Sequence, residues 1–286
     1  MEQIAPNIYV STVYPYVNVG CVVGPTGVVA LEAPTLPQDA LTWRREISKL
    51  TDQPIVYTVL TDAHPHRLLS AGLLEAPIVS SKAAYEQAAD YTRGFWRSVV
   101  RRLKRHHPEQ EAGLRDVDPV LPEILFTDTL TLHKAGADVA IERIDGAAPG
   151  SAWVKPGDAD VLFVGDTLVV GSPPVMDETA DTKAWLDTLT KLRRPRFAGT
   201  TLVPGQGPHC DQSATHPLSE YVRVVRRRVR SLHRDARPRD DVSEFVNELL
   251  SIFALSDPER DYFRRRVRNG LKRVYDELAP QDDDNG

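Results

Sequence analysis

Thr61-Asp-Ala-His-Pro-His-Arg67 follows directly on Pro54-Ile-Val-Tyr-Thr-Val-Leu60. The earlier stretch is apolar almost throughout and rich in β-branched residues, the pattern of a strand buried on both faces. An acid, two imidazoles and a guanidinium immediately after such a strand suit a site better than a core. In α/β architectures ligands gather outside the carboxyl ends of strands. The plainer reading is a solvated loop that happens to hold two histidines. The company this loop keeps along the chain decides between the two.

Around that stretch the chain has the composition of an ordinary globular protein. It has 286 residues, enough for one large domain or a domain with an appendage, with 41% hydrophobic and 26% charged residues. A net charge of -5 argues against a molecule built as a whole to bind polyanions. Two cysteines, Cys21 and Cys210, make no disulfide scaffold and no CxxC motif. Met1 to Pro6 lacks the basic and apolar regions of a signal peptide, and no apolar run reaches membrane-spanning length. A cytoplasmic protein with no membrane partner is expected.

Working outward, Asn18 to Val23 and Val28 to Leu31 read as strands joined by the turn Gly24-Pro-Thr-Gly27. Leu41 to Leu50 has helical spacing, and Ala76 to Ser80 reads as a further strand. Ala83 to Arg105 is expected as one helix with a basic second half, Arg97 to His107. Either it is a solvated helix covering part of the sheet, or it caps the site and offers cations to an anionic ligand. The adjacent pair His106-His107 is not read as a metal site, because neighbouring helical residues point apart. Short strands follow between Glu123 and Asp166, then a helix over Ala180 to Leu192 and a strand over Thr200 to Val203. After about residue 211 the chain reads as helical: Pro217 to His233, Val242 to Leu255 and Pro258 to Leu278. Gln281 to Gly286 is an acidic tail, expected to be disordered.

Five motifs in order carry a resemblance. They are Asn18-Val-Gly20 with Gly27-Val-Val-Ala-Leu31, the loop Thr61 to Arg67, Gly146-Ala-Ala-Pro-Gly-Ser151, Val161-Leu-Phe-Val-Gly-Asp-Thr-Leu168, and Pro204-Gly-Gln-Gly207. Together they resemble the metallo-β-lactamase-fold superfamily over about residues 4 to 210. The resemblance implies a four-layer αββα sandwich at residues 1–210, with a C-terminal helical extension at 211–286. It also implies a site between the sheets where two metal ions share a bridging aspartate and activate a water for hydrolysis of an ester, amide or phosphodiester.

Carried over position by position, most of the family's ligands differ. Asp62 stands where the family has its first histidine, and His64 keeps the second. His66 replaces an aspartate, and Arg67 replaces the last loop histidine. Ala147 replaces the histidine of the Gly-His motif. Asp166 keeps the bridging aspartate, and Gln206 replaces the final histidine. Glu32, where the family often has aspartate, is read as a hydrogen-bonding residue behind the site. Arginine stays protonated and cannot ligate. The expected cleft is therefore Asp62, His64, His66, Arg67, Asp166 and Gln206, with no metal cofactor. Arg67 is expected to stand in for the second metal as a fixed cation beside Asp166 or Asp62.

Three functions follow from this reading. The first is a pseudoenzyme that keeps a cleft for a small-molecule ligand or protein partner. The alternative is a metal-dependent hydrolase with one divalent ion (Zn²⁺, Mn²⁺ or Fe²⁺) on Asp62, His64 and Asp166. The third is an Arg-rich binder of nucleic acid or another anionic ligand. Tyr221 to Arg230 is basic, but Val222, Val225, Val229 and Leu232 form an apolar stripe, so a packed helix with a solvated face explains it without nucleic acid. His209 and Cys210 read as structural. The helices after residue 216 carry many large apolar groups, which are expected to pack on the sandwich or on a second copy of the chain.

Overall fold

The computed structural model describes residues 1–179 and 181–279. Ala180, the expected start of the helix before Leu192, and the acidic tail from Gln281 lie outside the described residues.

The first half of the chain builds one sheet and the helices on its outer face. Strands β1 (Glu2–Ala5), β2 (Ile8–Ser11), β3 (Val19–Gly24) and β4 (Gly27–Leu31) form an antiparallel meander. Helix α1 (Pro37–Ser48) leads to β5 (Ile55–Val59), then the single turn α2 (Pro65–Leu68) and β6 (Ile78–Ser81). Helices α3 (Lys82–Ala89), α4 (Arg93–His106) and α5 (Glu111–Asp116) precede β7 (Ile124–Phe126). Strands β4 to β7 run parallel, so their carboxyl ends share one edge of the sheet.

The second half builds the other sheet. Its strands are β8 (Thr129–Leu132), β9 (Val139–Arg143), β10 (Ala152–Pro156), β11 (Val161–Val169) and, after helix α6 (Thr182–Leu192), β12 (Thr201–Gln206). The chain closes with α7 (Thr215–Arg234), α8 (Val246–Leu250) and α9 (Asp257–Glu277). Among the described residues the strand orders are β1 through β7 in one sheet and β12-β11-β10-β9-β8 in the other.

Strand alternation explains the layering. Val22, Val29, Leu31 and Val59 face Ile141, Val154, Phe163 and Val203 in one core between the sheets. The intervening residues Val19, Cys21, Val28 and Ala30 face outward onto Trp43 and Ile47 of α1 and Ala84 and Ala88 of α3. On the far side, Trp153, Leu162 and Val164 are covered by Trp185 and Leu189 of α6 and by the apolar stripe Val222, Val225, Val229 and Leu232 of α7. Leu249 of α8 and Leu271 and Val274 of α9 complete that layer. The helices after residue 211 thus share one apolar cluster with the second sheet. Gly20 lies under the Phe163 ring, where a Cβ would collide, which lets the two sheets approach closely there.

Two expected helices differ. Ala83 to Arg105 is broken at Asp90–Thr92, where the Thr92 side chain accepts from the Phe95 N–H and starts a new helix. The break re-aims α4 so that Val99 and Leu103 pack with Leu36, Leu69 and Leu114 beside the loop. Val242 to Leu255 is α-helical only over α8, preceded by a 3₁₀ segment, Arg239–Phe245. Among the described residues no helix is long and apolar enough to cross a membrane.

Candidate functional site

The loop after β5 is folded by its own side chains. Asp62 Oδ1 accepts from the His64 N–H at 2.9 Å, and Pro65 opens α2 as its first residue. The turn brings Arg67 back over the strand ends. The Thr35 hydroxyl donates to the His66 carbonyl at 2.7 Å and the Ser70 hydroxyl to the Thr35 carbonyl at 2.8 Å, locking the turn to the chain after β4. Across the sheets, Asn18 donates from its side chain to the carbonyls of Pro204 and Gly207 at 2.9 and 2.7 Å. That fixes the Pro204-Gly-Gln-Gly207 turn beside the loop.

Arg67 is 1% exposed, and its guanidinium lies among three carboxylates. Nη1 is 2.9 Å from Glu32, Nε is 3.0 Å from Asp62, and Nη2 is 2.6 Å from Asp166. These are charge contacts by distance; the N–H directions are not aligned well enough for good hydrogen bonds. Glu32 Oε1 also accepts from the Thr61 N–H at 3.0 Å and from the Thr61 hydroxyl. Glu32 holds its φ at +63°, a left-handed conformation that costs a residue other than glycine about 1–2 kcal/mol. Gly205 is needed for a different reason: a Cβ there would strike the Asp166 carboxylate and lie 2.7 Å from Arg67 Nη2.

Three carboxylates around one guanidinium leave surplus negative charge if all are ionised. Burial pushes the Glu32 carboxyl up to about 7, with Arg67 opposing and Asp62 reinforcing the shift. Burial raises Asp166 as well, against the pull of Arg67. For Arg67 the three carboxylates outweigh the burial penalty and hold the guanidinium charged.

The Glu32 shift has a measurable consequence. A carboxyl raised by folding contributes stability that is fully present below its ordinary 4.5 and is lost as pH rises through about 7. Wild type should therefore lose stability relative to Glu32→Gln across that window, by roughly 3 kcal/mol at most, from about 1.4 kcal/mol per unit of pKa. Urea unfolding of both proteins from about pH 5 to about pH 8 checks this. Parallel profiles would rule out Glu32 as the titrating group.

His64 and His66 stack on one another, with ring centroids 4.8 Å apart and planes 8° from parallel. Burial drives both imidazoles well below their usual range. Arg266, Arg67 and Arg102 push the same way, so both rings are neutral near pH 7. His64 Nδ1 faces the His66 N–H at 3.4 Å, a long contact that places the ring proton on Nε2. The Tyr16 ring covers His66 at 4.6 Å and lies 5.6 Å from the Tyr262 ring, while its hydroxyl meets His107 Nε2 at 2.7 Å.

Of the residues singled out by the sequence, Asp62, Arg67 and Asp166 meet in one cluster. His64 and His66 form the floor of an adjacent cavity of about 310 Å³. Gln206 lies outside the carboxylate cluster, but its Oε1 accepts from Arg266 Nη1 at 3.4 Å at the wall of the cavity. Ala147 is buried in the apolar layer under the second sheet. His209 lies by the Glu2 carboxylate at 3.3 Å, and Cys210 pairs through its backbone with Leu202. Glu32 joins Arg67 directly instead of only backing the site. The sequence reading also missed Tyr16, Tyr262 and Arg266.

The donor set does not suit a divalent ion. The guanidinium occupies the space among Glu32, Asp62 and Asp166 that a shared cation would need. Among the described residues no group of three or more His, Cys, Asp or Glu side chains is arranged to hold a metal. A divalent ion about 4 Å from a fixed guanidinium would meet a repulsion of roughly 8 kcal/mol at an effective dielectric of about 20.

The fold and the order of these motifs define a class. The sequence pattern of the metallo-β-lactamase superfamily matches residues 34–204, and the chain belongs to that superfamily. No curated protein sequence matches it. Among solved structures it is similar to a metallo-β-lactamase family protein from Thermus thermophilus, with a TM-score of 0.66 and 18% identity, covering 96% of this chain and 95% of that one. A metallo-β-lactamase from Pontibacter korlensis superposes with a TM-score of 0.60 at 17% identity, covering 78% of this chain and 97% of the other. A stereoselective inverting sec-alkylsulfatase from Pseudomonas sp. gives 0.68 at 14% identity, covering 99% of this chain and 50% of the sulfatase. At these identities the likeness carries the fold alone.

Proposed function

We propose that this is a metallo-β-lactamase-fold protein in which a buried arginine has taken the place of the dinuclear metal centre, leaving a cleft that binds a ligand without metal-dependent hydrolysis. One observation carries the reading: the Arg67 guanidinium lies within 3.0 Å of Glu32, Asp62 and Asp166. A fixed cation there neutralises carboxylates that would otherwise need metal, and it repels any metal that approaches. Ala147 and Gln206 support the reading, since neither supplies an imidazole. The two remaining histidines are neutral, but they are stacked on each other and not converging on a common point.

Elemental analysis of protein purified without chelator tests it. Zinc, manganese and iron should all be well below one ion per chain, and added Zn²⁺ should leave the thermal midpoint unchanged. A stoichiometric ion that survives dialysis would overturn the reading in favour of a single-metal hydrolase on Asp62, His64 and Asp166.

A further inference from the structure

We infer that the cavity over His64 and His66 is an anion site for a phosphate monoester of a small hydroxylated molecule, held between α4 and α9. The inference rests on the reading above that the cleft binds a ligand instead of metal.

Four arginines wall this cavity: Arg102 and Arg105 from α4, Arg265 and Arg266 from α9. Arg102 and Arg266 are half-buried, and Arg105 and Arg265 stand at the rim. Among the described residues none of the four has a carboxylate within 4.0 Å. Elsewhere on the C-terminal helices several arginines are paired, although Arg227, Arg230, Arg260, Arg268 and Arg273 also have no carboxylate within 4.0 Å among the described residues. Arg226 pairs with Glu277, Arg228 with Glu248, Arg237 with Asp241 and Glu244, and Arg239 with Asp276. At the cavity, four guanidinia without a carboxylate in salt-bridge reach share one half-enclosed space.

Gathering like charges around a half-enclosed space is unfavourable unless an anion fills it. Burial is the main cause that lowers the pKa of Arg102; Arg265 and Arg266 add to it, while Tyr262 and Asp177 oppose it. Arg266 is held in place by the Pro173 carbonyl at 3.2 Å and by its packing over the Phe263 ring. A planar fork of donors held this way suits a tetrahedral oxyanion with several acceptor oxygens. The floor adds neutral imidazole, and His66 Nδ1 is buried without a partner. His64, with its proton on Nε2, has a donor to offer.

Asp177 and Asp261 also line the cavity, so it carries two acids against four arginines. A bare inorganic anion leaves those acids facing it. A ligand with hydroxyl groups beside its phosphate satisfies both sets. A cavity of about 310 Å³ lies at the small end of the usual range for ligand sites, about 300–1,000 Å³, and suits a molecule of sugar-phosphate size.

Calorimetric titration of the whole chain with glucose 6-phosphate, inorganic phosphate and glucose tests the inference. Glucose 6-phosphate should bind, inorganic phosphate more weakly, and glucose not at all. Arg102→Gln, Arg266→Gln and the exposed Arg105→Gln should each weaken the ester by about tenfold, or about 1.4 kcal/mol. Arg102→Lys should retain part of the affinity, because it keeps charge and loses the fork. Arg223→Gln and Arg227→Gln, on the outer side of α7, should leave binding unchanged. Arg105→Gln decides the matter if a half-buried variant fails to fold. Absence of binding by both phosphate probes would overturn the inference, as would equal weakening by the α7 variants. Metal-free protein that binds neither probe refutes this inference alone. A stoichiometric metal ion refutes the reading it rests on.

Discussion

Arg67→Ala should destabilise the protein by about 3–5 kcal/mol, the usual consequence of removing one member of a buried ion pair. The cost here is spread over three partners. Without the guanidinium, Glu32, Asp62 and Asp166 remain within one buried cluster, and all three are less than 5% exposed. They must repel one another or take up protons. Arg67→Lys should recover only part of the loss. The three guanidinium nitrogens reach three different acids, and a single ammonium cannot. The deficit should shrink as pH falls, because protonated carboxyls no longer need a cation. Urea unfolding of wild type and both variants at about pH 7.5 and about pH 5 measures this. An alanine variant within ~1 kcal/mol of wild type at the higher pH would mean that the cluster is not held by charge.

The fold was readable in the sequence because each motif answers to a backbone requirement. A doubly buried strand needs an unbroken β-branched run, which Pro54 to Leu60 supplies. The apolar, β-branched runs Asn18 to Val23 and Val28 to Leu31, with the Gly24 to Gly27 turn between them, marked the hairpin of β3 and β4. The site was readable only where it is local. Asp62, His64, His66 and Arg67 lie within one turn, and Asp166 follows from the strand motif. Glu32 was read as a hydrogen-bonding residue, since nothing in sequence says which of Arg67's nitrogens will find it. Its left-handed φ carries no signature in a glutamate. The break at Asp90–Thr92 was overlooked because apolar spacing continues through Tyr91, Phe95 and Trp96, although Thr92 is an ordinary helix-starting residue. The basic segment 93–107 allowed two readings, a solvated face or a cap. The structure divides it: Arg97 and Arg101 face solvent, and Arg102 lines the cavity. Arg266 was out of reach, because it comes from a helix more than 160 residues away in sequence.

A chain ending at Asp211 should fail to give a soluble, cooperatively folding protein. The superfamily pattern stops at residue 204, so such a chain keeps both sheets and every motif. It loses the outer cover of the second sheet. Trp153, Leu162, Trp185, Leu189 and Leu192, each 5% exposed or less, pack in the same cluster as α7, α8 and α9. Fully uncovering one such side chain costs about 1.5–3 kcal/mol, and domains hold only about 5–15 kcal/mol in all. Even partial exposure of these five consumes most of that margin and leaves an apolar face that drives association. A polar anchor goes as well. Glu277 of α9 accepts from the Thr182 N–H and hydroxyl at 3.1 and 2.7 Å, and pairs with Arg226 of α7 at 2.8 Å, tying three helices together in a nearly buried cluster. Arg265 and Arg266 leave with α9, so any anion affinity should vanish with the fold. Expression of residues 1–211 beside the whole chain, followed by sedimentation and scanning calorimetry, makes the comparison. A truncated chain as soluble and as heat-resistant as its parent would show that the two sheets close their own core without the C-terminal helices.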